Sequence, residues 1–159
     1  MTRRIPDQDL EDGKDELRAM LWLRNLKTTS GRLAILEVLR KEKEPLSVAE
    51  IESALLKSNP DATPGYATIY RTLEVLAKAT LVNRINTGDA HSSYELNFGR
   101  KHHHHAVCTS CGLIEDIANC DSEELNISAR AHLKNFKSIQ SHSLEFFGLC
   151  RKCEEKGPR

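Results

Sequence analysis

The chain has 159 residues, 23 basic against 23 acidic side chains and a formal net charge of zero. Residues 1–92 carry 14 of each sign and the remainder 9 of each, which excludes a broad basic field for nucleic acid; residues 24–84 hold 10 basic to 7 acidic groups, so any DNA footprint must be local and helped by dimerisation. No apolar run approaches the length of a membrane span and no apolar signal segment is present, so a cytoplasmic location, reduced thiols and no membrane partner are expected.

Residues 1–13 are polar, include Pro6 and Gly13, and are expected to form a disordered tail. Leu17, Met20, Leu21 and Trp22 then open an amphipathic helix that fades near Asn25. Thr29 or Ser30 can cap a second helix, whose apolar side is Leu33, Leu36, Val38 and Leu39. Ser47-Val-Ala-Glu50 is a capping box for a third helix that stops at Pro60. Thr63-Pro64 suggests an N-cap and first-turn proline for a fourth helix, with Ile69, Leu73, Leu76 and Ala77 on one side and Tyr66, Thr68, Arg71 and Thr72 on the other. Leu81–Asn86 and Ser93–Leu96 read as strands around a turn at Gly88-Asp89. Helices followed by a hairpin predict a winged helix-turn-helix over residues 14–92. Its last helix would enter the major groove, with Tyr70 and Arg71 the favoured DNA contacts beside Tyr66 and Thr68.

Residues 93–159 are expected to form a second, metal-binding domain. If 102–107 is a strand, His103 and His105 share one face while His102 and His104 share the other. Glu95, His103, His105 and Asp116 then make a mixed nitrogen and oxygen set suited to zinc, iron(II) or manganese(II), and the opposite face can recruit Glu123 and His142. A helix over Ser122–Phe136 and a strand over Ser141–Phe147 complete the pattern, the strand with His142, Leu144 and Phe146 on one face. His91 reads as a solvated turn residue, His132 as packed beside Leu133, and Cys120 as a small, partly buried thiol.

Two Cys-x-x-Cys pairs, Cys108/Cys111 and Cys150/Cys153, stand 38 residues apart. Thiolates at i and i+3 grip zinc from a tight turn, and two such turns close a tetrahedron, which is structural rather than catalytic. The intervening segment must therefore be a small domain tied at its ends.

The segments Ala67-Thr-Ile-Tyr-Arg-Thr-Leu-Glu-Val-Leu76, His102-His-His-His-Ala-Val-Cys-Thr-Ser-Cys-Gly112 and Ser141-His-Ser-Leu-Glu-Phe-Phe-Gly-Leu-Cys150 resemble the ferric uptake regulator family. The resemblance implies an α+β chain with an N-terminal winged helix and a C-terminal α/β dimerisation domain, acting as a homodimeric, metal-dependent transcriptional repressor of metal-uptake or homeostasis genes, with iron or zinc as co-repressor. It also implies structural zinc on Cys108, Cys111, Cys150 and Cys153. Glu95, His103, His105 and Asp116 match its regulatory site at the domain junction, and His102, His104, Glu123 and His142 a second, peripheral one. Lys27 and Arg32 match basic positions near the DNA backbone or minor groove, and an A·T-rich palindrome is the expected operator. Pro45 stands where iron and peroxide sensors of the family commonly carry histidine, and Glu95 where zinc sensors carry cysteine, so iron(II), zinc and manganese(II) all stay open as the regulatory ion. Two other classes fit the residues less well: a metallohydrolase, for which no His-Glu-x-x-His arrangement is present, and a zinc-stapled protein-interaction module.

Overall fold

The computed structural model describes residues 13–42, 44–87, 92–98, 102–118, 122–139 and 142–157. The expected tail up to residue 12, the turn at Gly88-Asp89, His91, Cys120 and Ser141 lie outside the described residues. Contacts divide the chain into two compact units, the first ending at Phe98.

The first unit contains helices α1 (Gly13–Leu23), α2 (Ser30–Lys41), α3 (Val48–Ser58) and α4 (Tyr66–Lys78). Its strands are β1 (Leu46–Ser47), β2 (Val82–Asn86) and β3 (Ser92–Leu96), in the antiparallel order β1-β3-β2. The boundary expected after residue 92 would cut β3, whose Ser93 and Tyr94 also pair with Ser47 and Leu46, so the unit extends past the strand. Helix starts follow local chemistry. Thr29 caps α2 by accepting from the Arg32 amide at 3.3 Å. At α3 the Ser47 hydroxyl accepts from the Glu50 amide at 3.3 Å while the Glu50 carboxylate accepts from the Ser47 amide at 2.7 Å, satisfying two orphan donors.

The α4 start differs from the Thr63-Pro64 expectation: Gly65 is the N-cap, because the Thr63 hydroxyl donates to the Asn59 carbonyl at 2.7 Å and closes a short 3-10 turn, Pro60–Ala62. At its other end α4 closes with the Leu81 amide donating to the Leu76 carbonyl at 3.0 Å around Thr80, which sits at φ 57°. Asn25 makes the same left-handed turn after α1 at φ 56°. Asparagine tolerates that region far better than a β-branched threonine does. The apolar stripes of all four helices meet in one core, in which Leu17, Leu21, Ile35, Leu36, Ile51, Ile69, Leu73, Leu76 and Tyr94 are fully buried.

The second unit is a sheet of β4 (His104–Cys108), β5 (Ile114–Ile117) and β6 (Glu145–Gly148), with helices α5 (Ser122–Ala131) and α6 (Arg151–Glu155). Strand β4 is central, antiparallel to β5 and parallel to β6, and α5 lies in the long crossover that a parallel pair requires. Helix α5 ends at Ala131 instead of Phe136; the His132 and Leu133 amides tighten into i−3 bonds at 3.1 Å to Ala129 and Arg130. Among the described residues of this unit, Val107 and Cys108 are the buried hydrophobics. Leu125, Ile127, Phe136, Phe146, Phe147 and Leu149 are exposed.

Candidate metal centres and DNA-facing helix

The β4–β6 register explains why four distant cysteines meet. Cys108, the last residue of β4, pairs with Gly148, the last of β6, so both Cys-x-x-Cys turns leave the same edge of the sheet side by side. The Thr109 amide and hydroxyl both donate to the Gly148 carbonyl, at 2.8 and 3.2 Å, and lock the two turns together. Gly112, at φ 74°, lets its amide return to the Cys108 carbonyl at 2.9 Å. Cys150 is the N-cap of α6, and the Cys153 amide donates to its carbonyl at 2.9 Å.

All four sulfurs lie within 4.8 Å of one another, and Cys111 Sγ and Cys150 Sγ are 3.7 Å apart. A zinc–sulfur bond of about 2.3 Å sets the edge of a tetrahedron at about 3.8 Å, so the donor set fits zinc. The Cys150 amide donates to Cys108 Sγ at 3.3 Å and is the main reason the Cys108 thiol is lowered to about 6. At Cys111 the Leu113 amide pulls downward, but hydrogen bonds shared with the Cys108, Cys153 and Cys150 thiols, together with burial, outweigh it and push it up to about 11. A dication coordinated by all four sulfurs would favour their deprotonated forms together.

The histidine run alternates as a strand must. His103 and His105 point to one side with ring centroids 4.9 Å apart, and His102 and His104 to the other at 4.7 Å. On the first side His105 pairs across the ladder with Asp116, and His105 Nε2 stands 3.6 Å from Asp116 Oδ1. That is beyond a hydrogen bond but within the span of two ligands on one ion. Glu95 belongs to the first unit, where it is buried on β3 and accepts from Asn83 Nδ2 at 3.0 Å. Asn83, not anticipated from the sequence, thereby fixes the orientation of that carboxylate.

On the second side His142 joins His102 and His104. His142 Nε2 is 3.0 Å from His102 Nε2 and 3.2 Å from His104 Nε2. One imidazole nitrogen carries either a proton or a lone pair, so His142 Nε2 cannot donate to one neighbour while accepting from the other. Three converging lone pairs satisfy both spacings, because zinc–nitrogen bonds near 2.0 Å place ligand atoms about 3.3 Å apart. Burial first, then the neighbouring imidazoles, lower the proton affinity of His102 and His104, which favours the neutral, ligating form. Glu123, expected in this set, is exposed on the first turn of α5 and its carboxylate is not among the converging atoms.

In the first unit, burying Ile69, Leu73 and Leu76 turns the other side of α4 outward. Tyr66, Thr68, Tyr70 and Arg71 are exposed on it, with Tyr66 at 53% and Tyr70 at 40% accessibility. The sequence reading did not single out what steadies this helix: Glu74 accepts from Arg84 Nη1 at 3.3 Å and from the Tyr94 hydroxyl at 3.5 Å, linking α4 to both hairpin strands. Burial is the main cause that pushes the Tyr94 phenol up to about 12. A tyrosine on a buried strand face needing a partner for its hydroxyl was the available signal. Arg32, at the start of α2, donates from Nη1 to the Lys27 carbonyl at 2.6 Å, which draws these two basic residues together on the surface.

The model of the ferric uptake regulator family matches residues 24–147. The chain is similar to the ferric uptake regulation protein of Bacillus subtilis (strain 168), at 35% identity over 150 residues, covering 92% of this chain and 98% of that protein. It is also similar to the peroxide operon regulator of the same organism, at 34% identity over 131 residues, covering 82% and 86%. Among solved structures, the ferric uptake regulator from Pseudomonas aeruginosa with manganese superposes with a TM-score of 0.71 at 26% identity, covering 85% of this chain and 98% of that one.

Proposed function

Because the chain belongs to the ferric uptake regulator family, and is thus a metal-dependent, DNA-binding transcriptional repressor and not an enzyme, we propose how its residues divide that work. Cys108, Cys111, Cys150 and Cys153 hold a structural zinc; the convergence of their sulfurs is the observation that carries this assignment. His103, His105, Asp116 and Glu95 hold the regulatory ion, and His102, His104 and His142 a second ion. The mixed nitrogen and oxygen donors of the regulatory set suit iron(II), manganese(II) or zinc, and the manganese bound by the Pseudomonas aeruginosa relative is of that kind.

Tyr66, Thr68, Tyr70 and Arg71 on the exposed side of α4 read base edges, while Lys27 and Arg32 meet the phosphate backbone. The family's regulators are dimers, and in this chain the exposed apolar residues of the second unit supply a surface for a second copy. Two α4 helices related by a two-fold axis suit a palindromic, A·T-rich operator. A cytoplasmic location is part of this reading, and among the described residues no helix is long and apolar enough to cross a membrane.

Metal acts as co-repressor by differential affinity for the DNA-competent arrangement; each tenfold gain in operator affinity requires about 1.4 kcal/mol of coupling. Fluorescence anisotropy of the dimer on A·T-rich palindromic duplexes, titrated anaerobically with iron(II), manganese(II) and zinc at fixed salt, tests the whole scheme. His103→Ala with His105→Ala is expected to abolish the metal response while leaving cysteine-bound zinc in place. An unchanged metal response in that double variant would sink the regulatory assignment.

A further inference from the structure

We propose that Glu74 is a positioning residue for DNA: against the sign of its own charge it favours operator binding, by holding Arg84 of the hairpin where that guanidinium meets a phosphate beside the groove that α4 enters. The inference rests on the reading of α4 as the helix that contacts bases, and adds how the hairpin is set against it.

A carboxylate is out of place on a surface meant for a polyanion. Tyr66, Tyr70 and Glu74 follow one another at four-residue spacing, so all three lie along one row of α4. Glu74 stands one turn, about 6 Å, beyond Tyr70. The major groove is about 12 Å wide, so a helix that reads bases through Tyr70 brings its next turn to the groove wall, where the phosphates run. Alone there, Glu74 would repel them.

It is not alone. Its Oε1 accepts from Arg84 Nη1 at 3.3 Å and from the Tyr94 hydroxyl at 3.5 Å. Arg84 also donates from Nε to the Ser92 hydroxyl at 2.9 Å. Arg84 and Tyr94 are register partners on β2 and β3, so the two side chains share one face of the hairpin. Burial raises the Tyr94 phenol, Arg84 lowers it, and Glu74 and Tyr70 raise it further, which puts all four groups in one local field. Bonds at two different nitrogens fix the plane of the guanidinium fork, which a lysine ammonium could not reproduce. They engage two of the five N–H groups that a guanidinium carries, and the Arg84 side chain is 42% accessible, so its charge is held in place yet open to a phosphate. An ion pair this exposed contributes little to stability, so holding the fold together is a poor reason for it.

The test measures the affinity of the full-length, manganese(II)-loaded dimer by fluorescence anisotropy across a salt series, on a duplex that the native protein selects from a random pool. Arg84→Ala is expected to weaken binding by about tenfold and to lower the slope of log affinity against log salt by about one for each protomer. Glu74→Ala is expected to weaken it by roughly threefold, at the low end of coupling between contacting residues, although deleting a negative charge by itself strengthens binding to DNA. In the Arg84→Ala background the same change should instead strengthen binding, because only the repulsion is then left to remove. Tighter binding by Glu74→Ala in the native background would overturn the proposal, and so would an unaltered salt slope in Arg84→Ala. Helical circular dichroism reports that each variant is folded, and Glu74→Gln carries the same test of sign if Glu74→Ala is not. Arg71→Ala is the reference for α4. If it leaves affinity unchanged, the reading of α4 fails and this inference with it; a loss there with none in Arg84→Ala defeats this inference alone.

Discussion

The two units of this chain are held together by different physics. The first buries four helical stripes and a hairpin in one apolar core, with nine side chains named above fully sequestered. The second has Val107 and Cys108 as its buried hydrophobics among the described residues, and its other buried side chains are His104 and His105. A sheet of three strands with so little apolar burial is marginal in water. On the proposed assignments, cysteine–zinc bonds and a partner copy would do for it what leucine and isoleucine do for the first unit, which teaches that a metalloregulator can rest its two halves on different sources of stability.

The largest effect that would sharpen this contrast is removal of the structural zinc. A structural zinc contributes on the order of 10–16 kcal/mol of apparent binding energy, all of it coupled to folding. Cys108→Ser is therefore expected to unfold the second unit and dissolve the dimer while the first keeps its helices, as read by hydrogen exchange and sedimentation. Equal loss of protection in both units would break the comparison. The reciprocal change is Leu73→Ala, which opens a cavity beneath α4. It should cost the first unit about 2–5 kcal/mol in chemical denaturation and leave the zinc content of the second unchanged.

Smaller effects probe local devices of the first unit. Ser47→Ala removes the hydroxyl half of the α3 capping box and should destabilise that unit by about 1 kcal/mol in the same denaturation experiment. Thr80→Gly relieves a β-branched residue at positive φ, and after the entropy cost of glycine should stabilise by about 0.5–1 kcal/mol. The Asn97 side chain donates to the Thr80 backbone carbonyl, so that bond survives the change. A thermal scan resolving the first unit alone gives the sign.

Where a single rule governed a segment, the sequence was legible. Ser47-Val-Ala-Glu50 became a capping box because the three-residue spacing leaves the two side chains few better partners. The histidine run split between two faces because strand alternation has a period of two and tolerates no compromise. The pairs Cys108/Cys111 and Cys150/Cys153 met because zinc-binding turns at such spacing are nearly self-specifying. Where two local interactions competed, the reading failed. Thr63 could cap α4 or close the preceding 3-10 turn, and the second outcome prevailed. Strand β1 is two residues long, below any periodic signal, and exists only because β3 lies beside it. Glu123 lies near the imidazole face in sequence pattern, but helix α5 leaves its carboxylate outside the converging atoms. Asn83, Glu74 and Arg84 were invisible because polar residues on a hairpin or helix surface have no period that distinguishes a partner from solvent.

The parallel pairing of β4 with β6 also sets an order of events during synthesis. A strand pair whose members lie about forty residues apart in the chain, as the Cys150 amide and Cys108 sulfur do at a separation of 42, cannot form until its second half has left the ribosome. The helical unit, dominated by nearer contacts, is already complete by then and free to fold first. Every nascent chain therefore passes through an interval in which the DNA-reading half is finished and the metal-reading half is not. The last knuckle to emerge, Cys150 and Cys153, decides when that interval ends, and the rate at which newly made repressor becomes competent should depend on how much free zinc the cell can spare.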